Sequence, residues 1–238
     1  MAEKHDYTRY GDLKASQSAS SGRAVRIARM LGMAPRYLRY VRDIDTSLPA
    51  VELGCGDGSF VRALRDSGFR SVRGVDLSPS YNMPEGCEVG DAISFLQGEA
   101  PASLGLVVAL DVLEHVQPED LRSLLRLVRK CLHPNGRFLA RVPNMGSPLG
   151  LINQFGDLSH RTALNEIAVR QLAFDTGLRV HSIEPEPLAY PRTLSSILGR
   201  IIWPFYRAAV KLVFAAFGIQ ARILTPNLVF MLARDRAQ

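Results

Sequence analysis

Lysine, cysteine and long uncharged apolar runs are scarce in this sequence, and each scarcity excludes something. Only four of the 29 basic residues are lysine; the arginine excess brings the net charge to +6 and the pI to about 9.5. No zinc-finger spacing, basic helix or ribonucleoprotein motif accompanies that charge, so nucleic acid is not expected as a partner. The three cysteines, Cys55, Cys87 and Cys131, are odd in number and form no Cys-x-x-Cys pair. That pattern argues against a disulfide framework or structural zinc and points to a reducing compartment. No uncharged run reaches the ~20 residues that a membrane-spanning helix needs. The N-terminal stretch MAEKHDYTRYGDLKASQSASSG (1–22) holds no apolar signal core and reads as a polar tail. What remains is an ordinary globular chain of 238 residues, 47% hydrophobic, long enough to bury a sizeable core.

Along the chain, element types alternate. Residues 23–48 begin with RAVRIARMLGMAPRYLRYVR, where apolar residues and arginines recur at helical intervals interrupted by Gly32 and Pro35; this predicts two short helices. AVEL reads as a first strand, SFVRALRDSG as a helix capped by Gly68, and SVRGVDL as a second strand. A short third strand falls around Glu88 and Val89. A continuous apolar fourth, apolar on both faces as buried parallel strands are, ends at Asp111. A helix follows with Pro118 at its start, Leu121, Leu124, Leu125, Val128 and Leu132 on one face, and the turn His133 to Gly136 as its stop. RFLARVPN, LRVHSIEPEP and NLVFMLARD give strands five to seven, with a helix ending at Gly177 between the first two. The expected fold is α/β: a doubly wound, seven-stranded, mostly parallel Rossmann-like sheet with a helical insertion between the last two strands. Ligand should sit at the carboxyl ends of the strands. The expected divisions are a tail (1–22), N-terminal helices (23–48), a core (49–187), the insertion (188–224) and the last strand with the C-terminus (225–238).

The stretch VELGCGDGSF places Gly54, Gly56 and Gly58 on alternate positions directly after the first strand. Glycine there lets the backbone turn sharply and approach a ligand, while the following helix offers free amides. A dinucleotide fingerprint would need Gly-x-Gly-x-x-Gly, and here Ser59 occupies the sixth position.

The spacing Glu-x-Gly-x-Gly-x-Gly instead resembles motif I of the class I S-adenosylmethionine-dependent methyltransferases, and the resemblance extends over about Ala50 to Pro187 plus the last strand. It implies S-adenosylmethionine as cofactor. Glu52, Gly54, Cys55, Gly56 and Gly58 would line its methionine and ribose side. Asp76 in GVDLS, with Leu77 beside it, would take both ribose hydroxyls. Asp91 and Ala92 in GDA would bracket the adenine, and Asp111 would stand by the methionine end. Independently of family, a carboxylate can accept from two vicinal hydroxyls at once. Taken singly, each of these aspartates could equally be a helix N-cap or a solvated turn. Between Asp76 and Asp91 the chain is short and rich in proline and glycine, so a loop is expected over the adenine edge where many relatives insert a helix.

Methyl transfer is an in-line displacement, so the protein must align acceptor, methyl and sulfur and manage one proton. DVLEHV places Asp111, Glu114 and His115 after the fourth strand; GDLSHRT brings Asp157 and His160 after the fifth. The run resembles that of the ubiquinone-biosynthesis O-methyltransferases and the small-RNA 2′-O-methyltransferases. That resemblance implies a divalent ion, Mg²⁺ or Mn²⁺, on Asp111, Glu114, His115 and His160, lowering the pKa of an acceptor hydroxyl. Aspartate at 111 is shorter than that family's glutamate. A second resemblance is to bacterial methyltransferases of surface-polysaccharide and glycolipid pathways, carried by VPN, a loop with Asp-x-x-His, and a helix ending in Gly177. There His160 would be a general base or an acceptor ligand with no metal. Glu114 and His115 could also be capping and packing residues beneath the site. His133 and His181 read as structural.

Between the last two strands, TLSSILGRIIWPFYRAAVKLVFAAFGIQAR is strongly apolar, yet Arg200, Arg207, Lys211 and Arg222 fall in one narrow sector at 100° per residue. A helix over 194–222 lying in a bilayer interface is the expectation, with Trp203, Phe205, Tyr206, Phe214 and Phe217 as anchors. The alternative is packing on its own domain or a homodimer face. The combined expectation is a cytoplasmic methyltransferase, peripheral on the inner face of the membrane. Its acceptor would be a hydroxyl on a lipid-linked sugar, glycan or glycolipid. The alternatives are metal-assisted O-methylation of a quinone or small phenol, and a catalytically idle S-adenosylmethionine-binding adaptor.

Overall fold

The structure, a computed structural model, describes residues 36–78, 83–187 and 193–235. Most of the two helices expected over 23–42 lies outside them; the described part is one helical turn at 36–38 followed by turns. Seven strands form one sheet: β1 (Ala50–Leu53), β2 (Val72–Asp76), β3 (Cys87–Val89), β4 (Leu104–Leu110), β5 (Leu132–Pro143), β6 (Leu178–Pro185) and β7 (Asn227–Arg234). Their spatial order is β3-β2-β1-β4-β5-β7-β6. β7 runs antiparallel to both its neighbours and all other pairings are parallel.

Beside the turn at 36–38 and a 3-10 turn at Leu113–His115, the described helices are α1 (Ser59–Asp66), α2 (Ala92–Gln97), α3 (Pro118–Cys131), α4 (Gly150–Phe155), α5 (Glu166–Thr176) and α6 (Leu194–Ala216). α1 buries Phe60, Val61 and Leu64 on one face of the sheet against Ala50, Val108 and Leu139. α2, α3 and α5 cover the other, where Leu96, Leu124, Leu125, Val128 and Leu172 pack with Val51, Leu53 and Phe138. β4 touches both layers, which is why its sequence is apolar without alternation. Each such side chain removed from water contributes roughly 1.5–3 kcal/mol.

The strand order reverses at β1 and β4. The two connections leaving their carboxyl ends, residues 54–58 and 111–115, therefore diverge and leave a crevice.

Several boundaries differ from those the sequence suggests. Leu132 begins β5 rather than closing the apolar face of α3, and pairs with Leu104. The register then jumps to Leu106 opposite Arg137, so the expected turn His133–Gly136 is an irregularity within the strand. Gly136 permits it, because a Cβ there would stand 2.7 Å from the Leu104 carbonyl oxygen. β4 stops at Leu110 because Asp111 takes a left-handed conformation, φ 58°. α2 and α4 were not anticipated; the first is capped by the Asp91 side chain, which accepts from Ser94 N–H.

Candidate active site

The glycine loop is held to the end of β2. Gly54 and Cys55 amides both donate to the Val75 carbonyl, at 2.7 and 3.1 Å. Gly54, Gly56 and Gly58 all have φ between 53° and 71°, a region that costs other residues roughly 1–2 kcal/mol. Position by position the reasons differ. A Cβ on Gly54 would collide with the Val112 side chain, whereas a Cβ on Gly56 would meet nothing within 4 Å. Gly56 therefore borders the open crevice, and a side chain there would enter the space of a ligand.

Asp76, last residue of β2, points back under this loop. Its Oδ2 accepts from Gly56 N–H at 2.8 Å and its Oδ1 from Ser78 N–H at 2.9 Å. A carboxylate has about four acceptor directions, so two hydroxyls can still be met by a group fixed in this way. Half-exposed Leu77 follows it, and Asp91 comes two residues after Val89, its β-ladder neighbour on β3. One Asp91 oxygen is occupied in capping α2, at 2.8 Å from Ser94 N; Ala92 is the first residue of that helix.

Two other motif residues serve the loop from beneath. Glu52 is only 4% exposed, and its Oε2 has no partner among the described residues. Burial, then the nearby Asp57 charge, pushes its carboxyl well above the ordinary range, although a hydrogen bond donated by the Val61 backbone amide works the other way. Cys55 turns its thiol into the sheet beside Cys87 and Gly74, so its backbone alone borders the crevice. Burial raises both thiols, which keeps them protonated.

The second wall follows β4. Asp111 pairs through Oδ2 with Arg141 Nη1, and its amide donates to the Arg141 carbonyl at 3.0 Å. Arg141 also bonds Glu186 Oε1 at 2.9 Å. Glu186 in turn accepts from Tyr37 Oη and Asn227 Nδ2, each at 2.7 Å, and Asn153 donates to Asn227 Oδ1 at 2.9 Å. Burial alone would raise the Glu186 carboxyl. Arg141 and the hydrogen bonds from Asn227 and Tyr37 more than offset it and hold the group below its ordinary value. This polar wall along the carboxyl ends of β4, β5 and β6 was not foreseen. Arg141, set between buried Ala140 and Val142 within β5, was its available signal, because a strand interior tolerates a charge only when partners neutralise it.

Glu114 and His115 lie in a 3-10 turn, Leu113–His115, directly after β4. Arg161 and Thr162 amides donate to the Glu114 carbonyl at 2.6 and 3.0 Å, and Thr162 Oγ1 donates to Val116 O at 2.6 Å. These bonds draw the loop after β5 against the loop after β4. As a result the His115 and His160 rings sit edge to face with centroids 4.7 Å apart. One ligand atom from each of Glu114, His115 and His160 falls within 4.8 Å of the others. Asp111, the fourth member suggested by sequence, is not in that group and is held by Arg141 instead.

Hydrogen bonds set the tautomers of both rings. His160 Nδ1 is 3.0 Å from the Gln154 carbonyl, which can only accept, so Nδ1 carries a proton and Nε2 is the lone-pair nitrogen of the neutral ring. Ser159 Oγ donates to Asp157 Oδ1 at 2.6 Å and so receives the Nδ1 proton of His115 across 2.9 Å. Two imidazoles whose Nδ1 atoms donate to protein oxygens, beside a buried carboxyl group, present their Nε2 atoms for taking a proton from an acceptor or holding a hard divalent ion. Asn144 of the VPN segment is structural: its Nδ2 donates to Ile223 O and Thr225 O, at 2.9 and 3.1 Å.

Comparison with known proteins bears on the family and the fold. The family model described as a methyltransferase domain matches residues 26–183. No curated protein matches the chain. Among solved structures, a SAM-dependent methyltransferase from Archaeoglobus fulgidus superposes with a TM-score of 0.63 at 22% identity, covering 84% of this chain and 91% of that one. One from Clostridium acetobutylicum gives 0.57 at 10% identity, covering 86% and 92%. One from Mesorhizobium loti gives 0.54 at 19% identity, covering 83% and 95%.

Proposed function

Since this chain belongs to the methyltransferase domain family and has the class I S-adenosylmethionine-dependent fold, we propose that it is an O-methyltransferase acting on a sugar hydroxyl of a lipid-linked or surface glycan. Bound S-adenosylmethionine supplies a methyl group on a sulfonium, open to in-line attack by an oxygen lone pair. Gly54 to Gly58 would hold the donor by backbone approach, and Asp76 would orient its ribose. The observation that carries the acceptor chemistry is the His160 Nδ1–H bond to Gln154 O, which leaves Nε2 basic. That nitrogen accepts the hydroxyl proton as the new C–O bond forms and the S–CH₃ bond breaks, so the products are a methyl ether, the thioether and a protonated imidazole. The Asp111, Glu186, Asn153 and Asn227 side chains along the crevice offer a hydrogen-bonding wall suited to a polyhydroxylated acceptor.

A second reading is favoured by the clustering of Glu114, His115 and His160. Those three would hold Mg²⁺ or Mn²⁺, and the ion would acidify a phenol or quinol hydroxyl. Donor turnover on lipid-linked glycan and on quinol precursors, each with and without EDTA, separates the two. Chelator-resistant methylation of the glycan supports the first; chelator-sensitive methylation confined to the quinol overturns it. Donor binding without turnover on either would leave an adaptor.

A further inference from the structure

α6 is the one long helix among the described residues that buries none of its side chains. It follows β6 and precedes β7, begins with a Thr193–Ser196 capping box, and runs through Pro204 for 23 residues, or about 35 Å. Its exposed apolar residues include Leu198, Ile202, Phe205, Leu212 and Val213, the last four between 55% and 75% accessible. At 100° per residue these, with exposed Ile197 and Ile201, occupy one sector about 160° wide. Lys211 borders that sector on its Ile197 side with Arg207 beyond it, and Arg222 follows the end of the helix. On the far side Trp203 stacks on Tyr206, centroids 5.5 Å apart, with both side chains half-buried. At the C-terminal end Lys211 and Arg222 share a cavity of about 250 Å³ with Phe214, Ile219, Gln220 and Ala221.

The charge pattern selects what covers this face. No aspartate or glutamate occurs between Glu186 and Asp235. A second copy of α6 would bring basic stripe against basic stripe with no acid on the helix to neutralise it. Residues 1–35 carry six Lys and Arg against three Asp and Glu, so they offer no net complement either. No helix among the described residues is long and apolar enough to cross a membrane. An exposed apolar sector flanked by cations and by an amphipathic aromatic pair fits the boundary between headgroups and acyl chains.

We propose that α6 seats this protein on an anionic lipid surface, its apolar sector sunk at the headgroup level and Lys211 with Arg222 gripping a lipid phosphate. This docking stands apart from methyl transfer. The test is flotation of the full chain with vesicles of phosphatidylcholine alone and of phosphatidylcholine and phosphatidylglycerol in equal parts, at low and high salt. At low salt, binding to the anionic vesicles should be at least ~tenfold tighter than to neutral ones, since each surface cation contributes about fivefold, and high salt should erase the difference. I202D/F205D/L212D should abolish flotation, and K211E/R222E should remove the anionic preference, while melting temperature and calorimetric binding of S-adenosylhomocysteine stay unchanged. Should the triple variant not fold, the double variant at exposed positions decides alone. Equal binding to both vesicles, flotation that survives both sets of substitutions, or no flotation would overturn the proposal. A lipid-free dimer dissolved by I202D/F205D/L212D would assign the face to a second copy instead.

Discussion

Ser159 Oγ stands 2.9 Å from His115 Nδ1 while donating to Asp157 Oδ1 at 2.6 Å, so a residue after β5 sets the tautomer of a residue after β4. Ser159 acts through His115 rather than on substrate. Ser159→Ala is expected to lower turnover about tenfold to a hundredfold, as loss of an orienting partner does. S-adenosylhomocysteine affinity should not change. The shape of the pH–rate profile should shift as well, which a merely structural role would not produce; an unaltered profile with full rate would remove Ser159 from the machinery.

Gly56→Ala separates the glycine loop's role in binding from its role in folding. The left-handed backbone at φ 53° costs an alanine about 1 kcal/mol, so melting temperature should fall only slightly. The methyl group would project into the open crevice, and donor affinity measured by calorimetry should drop at least tenfold. Asp76→Asn should weaken donor binding comparably.

Arg141 is the sole cation bridging Asp111 and Glu186 among their described ion-pair partners. Arg141→Ala leaves the largely buried Glu186 carboxylate without its cation, and breaking a buried pair costs about 3 kcal/mol or more. Chemical denaturation should report that loss. Arg141→Lys should recover part of the stability but little activity, because one ammonium cannot reproduce the fork that meets both carboxylates.

Glu52 has a folded-state affinity for its proton well above the unfolded one, chiefly through burial. The sign follows from linkage. Its contribution to stability is fully present below the ordinary value of 4.5 and is lost as pH rises from there toward the raised native value. Glu52→Gln keeps the shape without the titration. The variant should therefore melt higher than the parent at neutral pH, by about 2 °C or more for each kcal/mol recovered, and no higher below pH 4.5. An equal difference at both pH values would show that the Glu52 proton is not coupled to folding.

Much of this molecule is legible in its sequence, and the reason is local. Most of the strands announce themselves by apolar runs closed by turn residues, and Gly54 to Gly58 by a spacing that only a sharp, side-chain-free turn requires. Gly177 caps α5 in the left-handed conformation its position suggested, φ 67°. Boundaries were less legible where pairing overrides local preference: the Leu132–Leu104 ladder pair takes residue 132 from α3 into β5.

The sequence by itself determined the fold class and the glycine turn after the first strand, because each depends on apolar patterning and turn residues close together in the chain. Only the tertiary structure decided that Asp111 pairs with Arg141 rather than joining Glu114, His115 and His160, and that Tyr37, Glu186 and Asn227 complete a polar wall. Those partners come from segments separated by up to nearly 150 residues, and nothing in a linear pattern encodes which carboxylate a buried guanidinium will choose once the sheet order brings several within reach.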